Sequence, residues 1–166
     1  MATYKEIKGV TVQTRDEDPV LGGIPGGTWA TGGNMNTGRR QLGSAKNGTQ
    51  SATLAFGGYV TSWVANNESY NGSSWTELAD LNTGRENMIG AGEYTNAIAF
   101  GGRNGGPDAK LAVAETWNGS AWTEVGDLNT AREQLGGAGA SSTSALAFGG
   151  EGPPDRDWET DRKSVV

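Results

Sequence analysis

Three tryptophans set 46 and 47 residues apart, Trp29, Trp75 and Trp122, mark an internal repeat. Ten residues after each stands an arginine: Arg39, Arg85 and Arg132. Each arginine closes a near-identical tetrad, Asn36-Thr37-Gly38-Arg39, Asn82-Thr83-Gly84-Arg85 and Asn129-Thr130-Ala131-Arg132. A triplet then follows each tetrad: Phe56-Gly57-Gly58, Phe100-Gly101-Gly102 and Phe148-Gly149-Gly150. Two units also share a return segment, Glu68-Ser69-Tyr70-Asn71-Gly72-Ser73-Ser74-Trp75 and Glu115-Thr116-Trp117-Asn118-Gly119-Ser120-Ala121-Trp122. A unit of this size buries too little apolar surface alone. It becomes stable by stacking on its own copies.

The period, the short apolar runs and the glycine punctuation match the blades of a β-propeller better than a helical solenoid. No stretch sustains a 3.6-residue period. Glycine is abundant, 28 of 166 residues, against about 7% on average. Its placement at fixed points of a repeat favours tight turns over disorder. Four strands per unit are expected, in the second unit over residues 86–92, 95–101, 111–117 and 121–125. The first is rich in small residues and suits a crowded centre. The second, Ala97-Ile98-Ala99-Phe100, is apolar on both faces, as a strand between two neighbouring sheets should be. Asn71-Gly72 and Asn118-Gly119 are expected to turn the third strand into the fourth with positive φ at both positions. The glycine doublets end the second strand, where a side chain would obstruct the backbone.

The formal net charge is −6, and no basic run interrupts it. A nucleic-acid partner is therefore disfavoured. The chain has no cysteine and no histidine, which removes disulfides, thiolate sites and the commonest general base and zinc ligand. No metal and no cofactor are expected. The first 20 residues show no apolar core of a signal peptide, and the apolar runs are too short to span a bilayer, so no membrane insertion is expected.

An early arginine, an apolar strand ending in Gly-Gly, an acidic residue before an aromatic one and a tryptophan in the outer strand resemble the kelch repeat, in that order. The resemblance covers residues 28–150. The wording of the repeats is similar to divergent kelch-like repeats of marine bacteriophage structural proteins, and the opening Met1-Ala2-Thr3-Tyr4 segment is similar to the start of such virion proteins. It implies an all-β fold, a partial kelch-type propeller with two full four-stranded blades and part of a third, truncated short of closure. Residues 1–27 are read as an N-terminal arm or anchor, 28–154 as propeller blades and 155–166 as a non-native or disordered tail. Residues 161–166 can be read off a common sequencing adapter. The related galactose oxidase site needs histidines and a Cys–Tyr crosslink, which this chain cannot supply.

Residues that recur in every unit are read as structural: Trp29, Trp75 and Trp122 as packing between blades, and Arg39, Arg85 and Arg132 as cations held inside the unit, with Glu68 and Glu115 as partners. Gly57, Gly58, Gly101, Gly102, Gly149 and Gly150 belong to the same set. Residues that do not recur are the candidates for ligand contact, because function concentrates in variable loops. These are Tyr59 and Trp63 in one insertion, and Arg103, Asn104, Asp108 and Lys110 in the matching, longer loop of the next unit. No catalytic residue emerges. The expectation is a non-enzymatic virion protein of the phage tail or fibre, whose loops recognise a host-surface glycan or protein or neighbouring virion proteins. An intracellular kelch adaptor for protein partners is the alternative, and a fragment of a carbohydrate-active enzyme the third reading.

Overall fold

A computed structural model describes residues 3–7, 10–14, 31–106 and 109–152. The fold is all-β, with no helix among the described residues. The chain divides into two compact units, Met1–Thr31 and Gly32–Val166. In the first, β1 (Thr3–Ile7) and β2 (Val10–Thr14) form an antiparallel hairpin, with Thr3 opposite Thr14 and Ile7 opposite Val10. Threonine, valine, tyrosine and isoleucine favour the pleated conformation here. Trp29, Asp108 and residues 153–166 lie outside the described residues, as do the arm residues 15–27.

The second unit carries the repeat as three antiparallel sheets. Sheet I comprises β3 (Gly43–Ser44), β4 (Thr53–Phe56), β5 (Asn67–Tyr70) and β6 (Trp75–Leu78), side by side in chain order. Sheet II comprises β7 (Ile89–Glu93), β8 (Asn96–Phe100), β9 (Ala114–Trp117) and β10 (Trp122–Val125), in the same order. Sheet III has β11 (Gly136–Gly139) and β12 (Ala145–Phe148). The registers superpose. Ala55 faces Glu68 as Ala99 faces Glu115, and Tyr70 faces Trp75 as Trp117 faces Trp122.

Three local expectations need correction. The third strand of sheet II begins at Ala114, not at Leu111. The first strand of sheet II begins at Ile89, not at Glu86, because Asn87 sits at φ 54 and breaks the extended run. The turns after β5 and β9 hold positive φ only at Gly72 and Gly119. Asn71 instead accepts from the Ser73 and Ser74 amides, both at 2.9 Å, through its side-chain oxygen, and Asn118 does the same for Ser120 and Ala121. Asparagine works here as an acceptor that mimics a backbone carbonyl.

The sheets pack face to face, and strand alternation decides which residues meet. Ala97 and Ala99 of β8 join Leu54 and Phe56 of sheet I, with Met88, Trp117 and Trp122. Ile98 and Phe100 of the same strand turn the other way, against Ala145 and Ala147 of sheet III. Phe56 meets Trp122 edge-on with ring centroids 4.9 Å apart. Burial of each such large apolar side chain is worth about 1.5–3 kcal/mol. The backbone adds a second link. Gln41, Asn87 and Gln134 all sit near φ 55, and the Asn87 amide donates to the Gln41 carbonyl as the Gln134 amide does to Asn87, each at 2.9 Å.

The Gly-Gly doublets serve the same stacking. Gly57 and Gly101 lie at φ 61 and 65. A Cβ there would stand 2.7 and 2.5 Å from the carbonyls of Arg85 and Arg132 in the following unit. The second glycine of each doublet donates its amide to that same carbonyl, Gly58 to Arg85 and Gly102 to Arg132, at 2.8 Å. Any side chain at the first glycine would push the sheets apart.

Candidate binding cleft

The repeated arginines point inward. The guanidinium of Arg39 donates through Nη1 to Glu68 and through Nη2 to the Ala55 carbonyl at 2.9 Å. Arg85 likewise donates through Nη1 to Glu115 and through Nε to the Gly101 carbonyl at 3.0 Å. All four side chains are fully buried. The carboxylates also collect the amides of the preceding tetrads. Glu68 accepts from Asn36 and Thr37, and Glu115 from Asn82 and Thr83. Burial pushes the Glu68 carboxyl up, but the Arg39 hydrogen bond, the two amides and the Arg39 charge outweigh it and hold its pKa below the ordinary value. These arginines are consumed by the fold and present nothing to a ligand. Arg132 reaches only the Gly149 and Gly150 carbonyls, at 3.4 and 3.3 Å, and has no carboxylate partner among the described residues.

Trp75 and Trp122 occupy matching positions, each beside an aromatic residue of the third strand, Tyr70 at 5.0 Å and Trp117 at 5.5 Å. They differ in their neighbours. Trp122 is covered by Phe56 of sheet I, whereas Trp75 is half-buried and donates from its indole nitrogen to the Gly33 carbonyl at 3.0 Å.

The residues that do not recur come together elsewhere. A cleft of about 490 Å³ is lined by Arg40, Gln41, Tyr59, Trp63, Glu86 and Arg103, with the backbone of Gly105 and Gly106. It lies where the loop after sheet I's glycine doublet meets the loop after sheet II's. Tyr59 and Trp63 pair edge-on, 5.8 Å apart, and Arg40 lies over the Tyr59 ring at 4.9 Å. Trp63 remains 38% exposed, so an aromatic surface is open to solvent at the rim. Arg103 donates to Glu86 at 2.9 Å and lies 3.4 Å from Glu133, which Asn87 also meets at 2.7 Å. Lys110 stands on the far side of Glu133, 3.1 Å from Glu151. Asn104 is exposed and is not part of the lining.

Glu86 is 4% exposed, and its Oε2 is buried without a hydrogen-bond partner. A buried unpaired acceptor costs about 1–3 kcal/mol, more when charged. The lining offers an aromatic surface, the Glu86–Arg103 ion pair and the exposed Arg40. That set holds a polar ligand with a flat apolar side. Sequence reading missed Arg40, Glu86 and Glu133. All three follow the repeated arginine directly, and the change of residue type at that one fixed position was the available signal.

Neither the family models nor the curated proteins give a match to this chain.

Proposed function

We propose that the three sheets are successive blades of a kelch-type β-propeller, and that the chain is a non-enzymatic module of a phage virion whose inter-blade cleft grips a sugar of a host-surface glycan. The observation that carries the reading is convergence. Tyr59, Trp63 and Arg103 come from insertions in two different units, and they line one cleft together with Arg40 and Glu86. A hexose supplies the matching chemistry. Its C–H face rests on an aromatic ring, and its hydroxyls accept from Arg40.

The test is a glycan array of the purified chain, followed by titration of the best binder. Trp63→Ala is expected to weaken binding about tenfold or more, without a change in the far-ultraviolet spectrum, since Trp63 sits on a loop. Absence of binding to any glycan or host cell, together with absence of the protein from purified virions, would sink the reading. A second reading, an adaptor for a protein partner, draws on Val60, which is 43% exposed beside the cleft. Genes for regulatory rather than virion proteins next to its own would favour it.

A further inference from the structure

Charge is unevenly balanced along the cleft wall. Arg103 is neutralised where it stands, 2.9 Å from Glu86 and 3.4 Å from Glu133. Arg40 is not. Among the described residues no carboxylate pairs with it, although its own place in the next two units is held by Glu86 and Glu133. The lining sets two cations, Arg40 and Arg103, against the single carboxylate of Glu86. It is a patch of positive excess in a chain whose formal net charge is −6.

Arg40 is also held in position. Its amide donates to the Tyr59 carbonyl at 3.1 Å, and its carbonyl accepts from the Tyr59 amide at 2.9 Å. The guanidinium lies over the Tyr59 ring, 4.9 Å from the centroid. That ring is fixed in turn. Its hydroxyl donates to the Thr61 carbonyl at 3.1 Å, and Trp63 meets it edge-on. A guanidinium over a ring keeps its N–H groups along its edge, and no described residue accepts from them. Such a fork loses little freedom when it meets a flat oxyanion.

We propose that the cleft selects an acidic sugar, and that Arg40 determines this by closing its fork on a carboxylate or sulfate of the sugar that rests on Trp63. The inference rests on the glycan reading above and adds the charge of the ligand to it. A neutral hydroxyl takes one bond from Arg40, whereas an oxyanion takes two parallel charge-assisted bonds. Glu86 does not oppose the anion, because Arg103 lies against that carboxylate. The chain as a whole still repels acidic glycans at a distance. Discrimination is therefore made at contact, and it shows in the rate of leaving more than in the rate of arrival.

The experiment titrates the full chain with matched oligosaccharides: one ending in glucuronic acid, the same one with its carboxyl reduced to the alcohol, and the neutral one carrying a sulfate ester. At least one acidic member is expected to bind about tenfold or more tighter than the neutral one, and the carboxylate and sulfate arms show which oxyanion the fork takes. Arg40→Gln should abolish that preference while little changing the affinity for the neutral sugar, since an amide still donates to a hydroxyl. Arg40→Lys keeps the charge without the fork and should fall between. Trp63→Ala should weaken all members alike and leave their ratio as it was. A neutral sugar that binds as well as the acidic ones overturns the inference and leaves the glycan reading standing. So does an acidic preference that survives Arg40→Gln. Failure of every sugar, neutral and acidic, to bind overturns both.

Discussion

Glu115→Gln removes one charge from the centre of sheet II and changes almost nothing in shape. Both oxygens of Glu115 act only as acceptors. Oε1 takes Arg85 Nη1 and the Thr83 amide at 3.3 Å, and Oε2 takes the Asn82 amide at 2.7 Å and its side-chain nitrogen at 2.8 Å. A glutamine must turn its own NH₂ toward one of these donor sets, so either orientation opposes donor to donor. The Arg85 guanidinium stays fully buried, with Nη2 already lacking a partner. Breaking a buried pair by removing one member costs about 3–5 kcal/mol. For a chain of this size that corresponds to a fall in Tm of about 6–20 °C. Urea unfolding at neutral pH, followed by tryptophan emission, reads the loss, because Trp117 and Trp122 are 2% and 6% exposed and become solvated on unfolding. The double change Arg85→Met/Glu115→Leu should lie closer to the parent than the two single losses sum to, since no uncompensated charge is left behind. Recovery is partial, because Asn82 and Thr83 still lose their acceptor. A cost for Glu115→Gln below about 1 kcal/mol, or single changes that add within about 0.5 kcal/mol, would refute the reasoning.

Two further outcomes follow from the same geometry. The pKa of Glu68 is lowered in the folded state, so this group contributes stability above the ordinary value of 4.5 and loses it as pH falls through the lowered one; Glu68→Gln should flatten the acid limb of the stability profile, and a limb that superposes on the parent's denies the linkage. Gly101→Ala and Gly149→Ala share nearly one backbone conformation, φ 65 and 67, but only at Gly101 would the Cβ meet a neighbouring carbonyl, at 2.5 Å; both pay about 1–2 kcal/mol for the left-handed conformation, Gly101→Ala should lose about 1–3 kcal/mol more from crowding, and equal losses in chemical denaturation would show that the doublet does not set sheet spacing.

Sheet count and strand order were legible because they rest on periodicity. Ala97-Ile98-Ala99-Phe100 is apolar at every position, and a strand of that kind is stable only with a sheet on each face. The Arg39–Glu68 and Arg85–Glu115 pairs were legible because both partners recur at one offset. What escaped was local or relational. Glutamine at Gln41 and Gln134 has little intrinsic preference for positive φ, and asparagine at Asn87 tolerates it without requiring it. They adopt it because the amides of Asn87 and Gln134 each find an acceptor in the preceding unit, a tertiary gain no short window contains. The hairpins between third and fourth strands contain Asn-Gly, yet four residues separate Tyr70 from Trp75. The longer loop let Asn71 serve as an acceptor rather than as a second left-handed residue.

The cleft follows from a division of labour at one position of the repeat. The residue after each repeated arginine forms an antiparallel bridge with the residue after each glycine doublet: Arg40 with Tyr59, Glu86 with Arg103, Glu133 with Glu151. The backbone bonds are constant, both directions of each pair falling between 2.8 and 3.1 Å. The side chains are free to differ because none of those bonds involves them. The first pair is a cation over a ring, the second an ion pair, and the third two carboxylates that share Lys110. A repeat that fixes the main chain and leaves the paired side chains open can change its rim chemistry unit by unit while its core stays the same. That is why the ligand candidates gather there, and why the buried Arg–Glu pairs, equally charged and equally recurrent, do not take part.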